Sequence, residues 1–163
     1  MSEVLAQLEK KGGGSSGGLL VRNPVLTSNT GQAAASSAAS SSNAAWCAFT
    51  GDNSTRWAPA QSGESNAWVS FHFSEKLHPK LACIMTRNEG SASSCSNLVF
   101  ECSNDGSNWV SITSELSAFY SGASIRTYQL LVTENASAYA YFRVRGTFSY
   151  AGNGFKIQFF GEK

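Results

Sequence analysis

The segment WVSFHF (68–73) constrains the chain most. It sets Trp68, Ser70 and His72 on one face and Val69, Phe71 and Phe73 on the other, the period of two expected of a half-buried β-strand. KLACIMTR (80–87), NLVFECS (97–103), WVSIT (109–113), RTYQLLV (126–132), AYFRVRG (140–146) and FKIQFFG (155–161) follow, with turn residues such as SNDGSN in the gaps. Seven short strands without an intervening helical pattern predict an all-β fold, a sandwich or a barrel. The length of 163 residues fits one domain with a real core. Only 14% of the residues are charged, and Ser, Asn, Thr and Gly take their place, which suits short strands joined by polar loops.

The chain divides into three. Residues 2–11, SEVLAQLEKK, read as a short amphipathic helix with Val4, Leu5 and Leu8 on one apolar stripe. Helices below ~12–15 residues are marginal alone, so residues 1–11 are expected to be a docking peptide that needs a partner. GGGSSGG (12–18) is a flexible linker by composition. A remnant of an expression vector is the plainer alternative for residues 1–18. The β domain then spans 19–163, opened by LLVRNPVL (19–26), and the Ser/Ala-rich stretch 27–45 is expected to lie across a surface already folded.

Several function classes are excluded or disfavoured. The net charge is +1 and no Lys/Arg cluster exists, so nothing attracts nucleic acid. No stretch approaches the ~20 apolar residues that span a bilayer. The N-terminus has no apolar signal region and carries Glu3 and Glu9 early; synthesis in the cytoplasm is expected, with export only by an unusual route. Cys47, Cys83, Cys95 and Cys102 fit no zinc spacing; they stand as buried thiols or as one of three disulfide pairings. Only His72 and His78 are present, the latter expected in a turn before Pro79, and neither neighbours an acid or a nucleophile. Glu64, Glu75, Glu89, Glu101, Glu115 and Glu134 are scattered, with no obvious pair for glycoside hydrolysis, and no G-x-S-x-G elbow occurs. The reading is not an enzyme.

Three segments, in order, carry a resemblance. AFTGDNSTRW (48–57) is similar to an "AFDGDxxTxW" segment, FECSNDGSNWVSI (100–112) to a strand–turn–strand "SxDGxxW", and YFRVRGTFSYAGNGFKIQFFG (141–161) to a "yiRl … g … ei.v.G" ending. Together they resemble the discoidin, or coagulation factor 5/8 type C, family and related galactose-binding-like carbohydrate-binding modules. The resemblance implies a jelly-roll β-sandwich with a loop face that binds glycans, phospholipid head groups or proteins. From the residues themselves, Asn104-Asp105-Gly106 suits a tight turn, Trp109 is expected in the core, and Trp57 is expected to seal one end of the sandwich.

Many glycan-binding members share a structural calcium site. The resemblance places its early Asp at Thr50 and its final-strand Glu at Lys156, while Asp52 and Thr55 remain. Two carboxylates lost and one ammonium gained suit a hard dication poorly. Calcium is therefore doubtful, no cofactor is favoured, and the Lys156 ammonium is expected either to fill the site, held by Asp52 and carbonyls, or to point to solvent.

Sugars take aromatic platforms beside directional polar groups. The candidates are Arg87, Asn88 and Glu89 in one loop, and Phe148, Tyr150 and Asn153 in another, with Trp46 a weaker third. The expected function is a non-catalytic, lectin-like adhesion or decoration domain that binds a cell-surface glycan. Residues 1–11 would dock it on a larger assembly, such as the surface of a phage or phage-like particle, through Val4, Leu5 and Leu8. A purely structural decoration protein and a non-secretory discoidin-type lectin are the alternatives.

Overall fold

The computed structural model describes residues 18–52, 54–86, 93–116, 119–121, 125–149 and 154–163. In chain order the elements are β1 (Leu20–Arg22), β2 (Ala33–Ala35), two 3-10 turns (Ser41–Asn43 and Ala45–Phe49), β3 (Glu64–Thr86), β4 (Ser93–Ser103), β5 (Val110–Ser111), β6 (Phe119–Ser121), β7 (Thr127–Leu131), β8 (Tyr139–Phe148) and β9 (Phe155–Glu162). All pairings are antiparallel. The fold is all-β, a two-sheet antiparallel sandwich, as the strand pattern predicts.

The two expected strands at 68–73 and 80–87 are one strand of 23 residues, β3. Its first part pairs with β8 and β2, and its second with β9 and β7. One sheet therefore runs β1–β9–β3–β7 and the other β2–β3–β8–β4, with β5 and β6 on β4. The crossing falls where the register shifts, between His72 and Leu77 on β8 and between Pro79 and Leu81 on β9. Proline lacks an N–H, and a bulge is where a strand tolerates that loss. His78 thus lies within a strand, not in the turn expected for it, and its Nδ1 lies 2.8 Å from the Ala136 carbonyl. Two further bulges flank β8, and each holds an asparagine at positive φ, Asn66 at 59° and Asn97 at 58°, a conformation that asparagine tolerates.

Alternation decides what each strand buries. Val69 and Phe71 are wholly buried and Phe73 nearly so, while Trp68 and His72 face outward. The sheets meet through rings: Phe159 of β9 lies 5.5 Å from Phe100 and 6.0 Å from Phe142 of the opposite sheet. Each such burial contributes roughly 1.5–3 kcal/mol. Cys47, Cys95 and Cys102 are buried, Cys83 is half-buried, and all four are free thiols. The Ser/Ala-rich stretch adds β2 to an edge of β3, since small side chains let a strand lie flat there.

Trp109 corrects an expectation. It lies outside the core, on the outer face of the second sheet, with the Arg143 guanidinium 4.1 Å from its ring and 5.6 Å from that of Trp68. The turn before it explains why. Asp105 accepts the Ser107 and Asn108 N–H groups at 2.8 and 2.7 Å, Gly106 sits at φ 73°, and the Trp109 indole N–H folds back to the Gly106 carbonyl at 3.1 Å. Below the rings, Glu101 is 6% exposed at its side chain and bridges Arg143 Nε at 2.6 Å and Arg145 Nη2 at 3.0 Å. Removing one partner of a buried pair strands the remaining charge. Glu101→Ala is expected to lower unfolding stability by about 3 kcal/mol in urea titrations with an unchanged slope. A loss under about 1 kcal/mol would mean that both arginines find solvent instead.

Candidate functional site

The pairing of β3 with β9 builds one end of the sandwich. Thr86, last in β3, lies opposite Phe155, first in β9. Trp57 forms a bridge to Phe155, whose N–H donates to the Trp57 carbonyl at 3.1 Å. Gly154 makes that approach possible, because a Cβ there would stand 1.7 Å from the Trp57 carbonyl oxygen. Thr86 and Arg126 clamp the neighbouring segment: the Thr86 N–H donates to the Arg126 carbonyl at 2.9 Å, and the Arg126 N–H to Thr86 Oγ1 at 2.9 Å. The chain therefore leaves β3 after Thr86, and enters β9 at Phe155, side by side.

An aromatic plug closes this end. Trp57 is fully buried, edge-on to Phe148 at 5.4 Å and to Phe155 at 5.3 Å, with its indole N–H on the Ser37 carbonyl at 2.7 Å. Trp57 thus occupies the end position expected of it. Phe148, a candidate ligand contact, is 1% exposed and belongs to the plug; the inward side of β8 claims it, so it offers no face to a ligand. Above the plug is a shallow depression of about 20 Å³ lined by Thr55, Arg56, Met85, Thr86, Ile125, Phe155 and Lys156. Ile125 is 54% exposed there. Arg87, Asn88, Glu89, Tyr150 and Asn153 lie outside the described residues, and the loops that carry them leave from this end. Trp46 sits in the second 3-10 turn, half-buried against the core.

Beside the depression lies the loop that the resemblance assigns to calcium. The Lys156 ammonium donates to Thr50 Oγ1 at 2.8 Å and to the Thr50 carbonyl at 3.1 Å, with Asp52 Oδ1 at 4.0 Å. Thr50 and Thr55 share a hydroxyl hydrogen bond. Asp52 accepts the Ser54 and Thr55 N–H groups and both their hydroxyls at 2.7–2.8 Å. The Thr55 hydroxyl, then Ser54, hold the Asp52 carboxyl far below its ordinary range. Burial pulls the Lys156 ammonium below its ordinary value, opposed by Asp52. This set does not fit calcium, which takes six to eight oxygens: an ammonium donates to two of the oxygens, and one carboxylate is nearby. Among the described residues, no three His, Cys, Asp or Glu gather as a metal site.

The carboxylates named above also have other work. Glu64 accepts the Ser36 and Ser37 hydroxyls, Glu101 holds two arginines, and Glu75 pairs with Lys163 at 2.8 Å. Nothing in the alternation of β8 singles out Arg143 as a bridge between Trp68 and Trp109, because the pairing that joins them spans β3, β8 and the turn after β4.

A two-sheet antiparallel sandwich closed at one end by an aromatic plug agrees with the discoidin-like class. The F5/8 type C domain family matches residues 32–157, and the chain belongs to it. Similar solved structures include chitosan-binding module 1 from a chitosanase/glucanase of Paenibacillus sp. IK-5, at 22% identity and TM-score 0.54, covering 80% of this chain and 92% of that one. The CBM32 of AlyQ in complex with 4,5-unsaturated mannuronic acid is 16% identical, with TM-score 0.57, over 85% and 97% of the two chains. The family 32 CBM of C. perfringens NanJ in complex with galactose is 15% identical, with TM-score 0.56, over 78% and 91%. No curated protein matches the chain.

Two outcomes follow from the loop. Calorimetry with millimolar calcium should show no binding heat, while Lys156→Met should lose about 2 kcal/mol of stability through lost charge-assisted hydrogen bonds; tight calcium binding would refute the assignment. Asp52 and Asp105 are both held well below their ordinary value of 3.8 by hydrogen bonds. A depressed folded-state value means that the unfolded chain binds more protons as pH falls. Their stabilisation is thus whole above about pH 4 and drains below it, so melting temperature should fall in acid, and less so in Asp52→Asn.

Proposed function

We propose that this domain is a non-catalytic carbohydrate-binding module whose ligand seats on the loop end above the Trp57 plug. The observation that carries the reading is the placement of Thr86 opposite Phe155, which launches 87–92 and 149–154 from neighbouring strand ends. Those loops supply an aromatic residue, Tyr150, and the polar Arg87, Asn88 and Asn153. A sugar needs that combination, one apolar face to stack and directional groups for its hydroxyls. Membership of the F5/8 type C family supports the reading. So do structural neighbours whose names record chitosan, an unsaturated mannuronic acid and galactose as ligands. The absence of a catalytic role is part of the proposal: among the described residues, Glu64, Glu75 and Glu101 are tied into ion pairs and hydroxyl contacts.

The shallow depression supports a finer form. Weak single-site affinity is what display in several copies, on a larger assembly such as a phage or phage-like particle, multiplies by avidity. The test is a glycan array probed with the full chain in multivalent form, with and without a chelator. Selective binding, insensitive to chelator and weakened about tenfold or more by Tyr150→Ala, is expected. A blank array, or binding untouched by Tyr150→Ala, would overturn the proposed site.

A further inference from the structure

The outer face of the β1–β9–β3–β7 sheet carries a groove of about 660 Å³. Val25, in the segment after β1, and Phe49 and Asp52, at and just after the second 3-10 turn, wall one side of it. Its surface is made by the outward rows of the sheet, where Cys83 lies beside Gln158 and Gln129, and Met85 beside Lys156 and Thr127. Leu20, Cys83, Met85 and Phe160 give it an apolar character, Arg22 adds a positive charge, and Lys156 and Asp52 offset one another at its wall. Val25 remains 48% exposed at its side. An apolar depression of this size on a sheet face is a seat for an apolar partner.

The chain itself carries a segment of matching chemistry. The described residues begin at Gly18, whose N–H donates to Glu162, and Leu20, two residues on, already lines the groove. The point where residues 1–17 join the described chain, Gly18, is therefore two residues from the groove. The sequence 2–11 offers an apolar stripe of Val4, Leu5 and Leu8, with Glu3 and Glu9 available to face Arg22. As a helix, ten residues span about 15 Å. A Gly/Ser linker of six residues has a reach of about 13 Å, and three strand spacings from β1 to β7 come to about 14 Å. The linker is thus long enough to bring the segment back across the sheet, and short enough to keep it at millimolar effective concentration.

We infer that residues 2–11 seat in this groove of the same chain, with Val4, Leu5 and Leu8 on its apolar surface. The inference is independent of the glycan reading, whose site lies at the loop end. It gives the short amphipathic segment the partner that it needs in order to fold.

Cys83 reports on the seat, because it is half-buried and lines the groove, whereas Cys47, Cys95 and Cys102 are buried elsewhere in the fold. Alkylation by N-ethylmaleimide would be followed at each cysteine by peptide mass spectrometry, comparing the full chain with full-length Leu5→Asp/Leu8→Asp. Cys83 should react about tenfold faster or more in the variant, with the other three thiols unchanged as the internal control for folding. Equal Cys83 rates in the two proteins would overturn the inference. So would protection in the parent chain that fades on dilution, since that assigns the groove to a second copy. Added synthetic peptide 1–11 should restore protection to the variant, and failure to do so at millimolar concentration would also count against the seat.

Discussion

Everything in this molecule hangs on one strand belonging to both sheets. β3 pairs first with β8 and then with β9, so the two sheets are not separate layers held only by side-chain contact. Their separation and relative orientation are set covalently, at the stretch from His72 to Leu81 where the register slips on both partners. From that single crossing, Phe71 on one side and Ile84 on the other both turn into the same core. Ring contacts such as Phe100 with Phe159 can then form without further adjustment of the backbone. A sandwich built from two unconnected sheets would have to find that alignment by packing alone, and packing tolerates sliding more readily than a continuous hydrogen-bonded ladder does.

The same strand sets the end of the sandwich at which the proposed site lies. β3 ends beside the start of β9, and a fully buried tryptophan lies beneath that junction. The core is closed at that end by Trp57, Phe148 and Phe155. Loops relieved of packing carry recognition more readily than strands do. The opposite logic holds on the outer face of the second sheet. There the indoles of Trp68 and Trp109 are engaged by Arg143, and the arginine by Glu101, so the exposed-looking aromatics are spent on holding strands together.

How much of this was legible in advance follows from the range of each interaction. Alternation is local, so the inward set Val69, Phe71 and Phe73 could be read directly from WVSFHF, as could the turn at Asn104-Asp105-Gly106. The end position of Trp57 was legible from the polar loop that it terminates. The merger of two expected strands into β3 was not, because His78-Pro79 carries a turn signal locally and is overridden by pairing with Gly161 and Glu162 far along the chain. Trp109 misled for a related reason. A large apolar residue opening a strand is usually core, but its indole N–H folds back on Gly106 and turns the ring outward onto an arginine from β8. Phe148 read as part of a loop face because its neighbours are loop residues, yet strand parity points it inward. The groove on the first sheet was invisible, since it is assembled from four strands and two further segments that no window of sequence contains.

Lys156 shows why a tethered cation differs physically from a bound ion at the same place. An ion stabilises in proportion to its concentration and can be removed; an ammonium on β9 is always present, and its strength depends only on burial and partners. Its backbone pairs with Met85, and its head holds Thr50 beside Asp52. The loop wall that borders both the end depression and the sheet groove is thereby fixed at folding. Two surfaces sharing one wall would rise and fall together if that wall depended on a dissociable ligand. With the charge built into the strand, each surface keeps its shape without a dissociable ion, and ligand at one need not disturb the other.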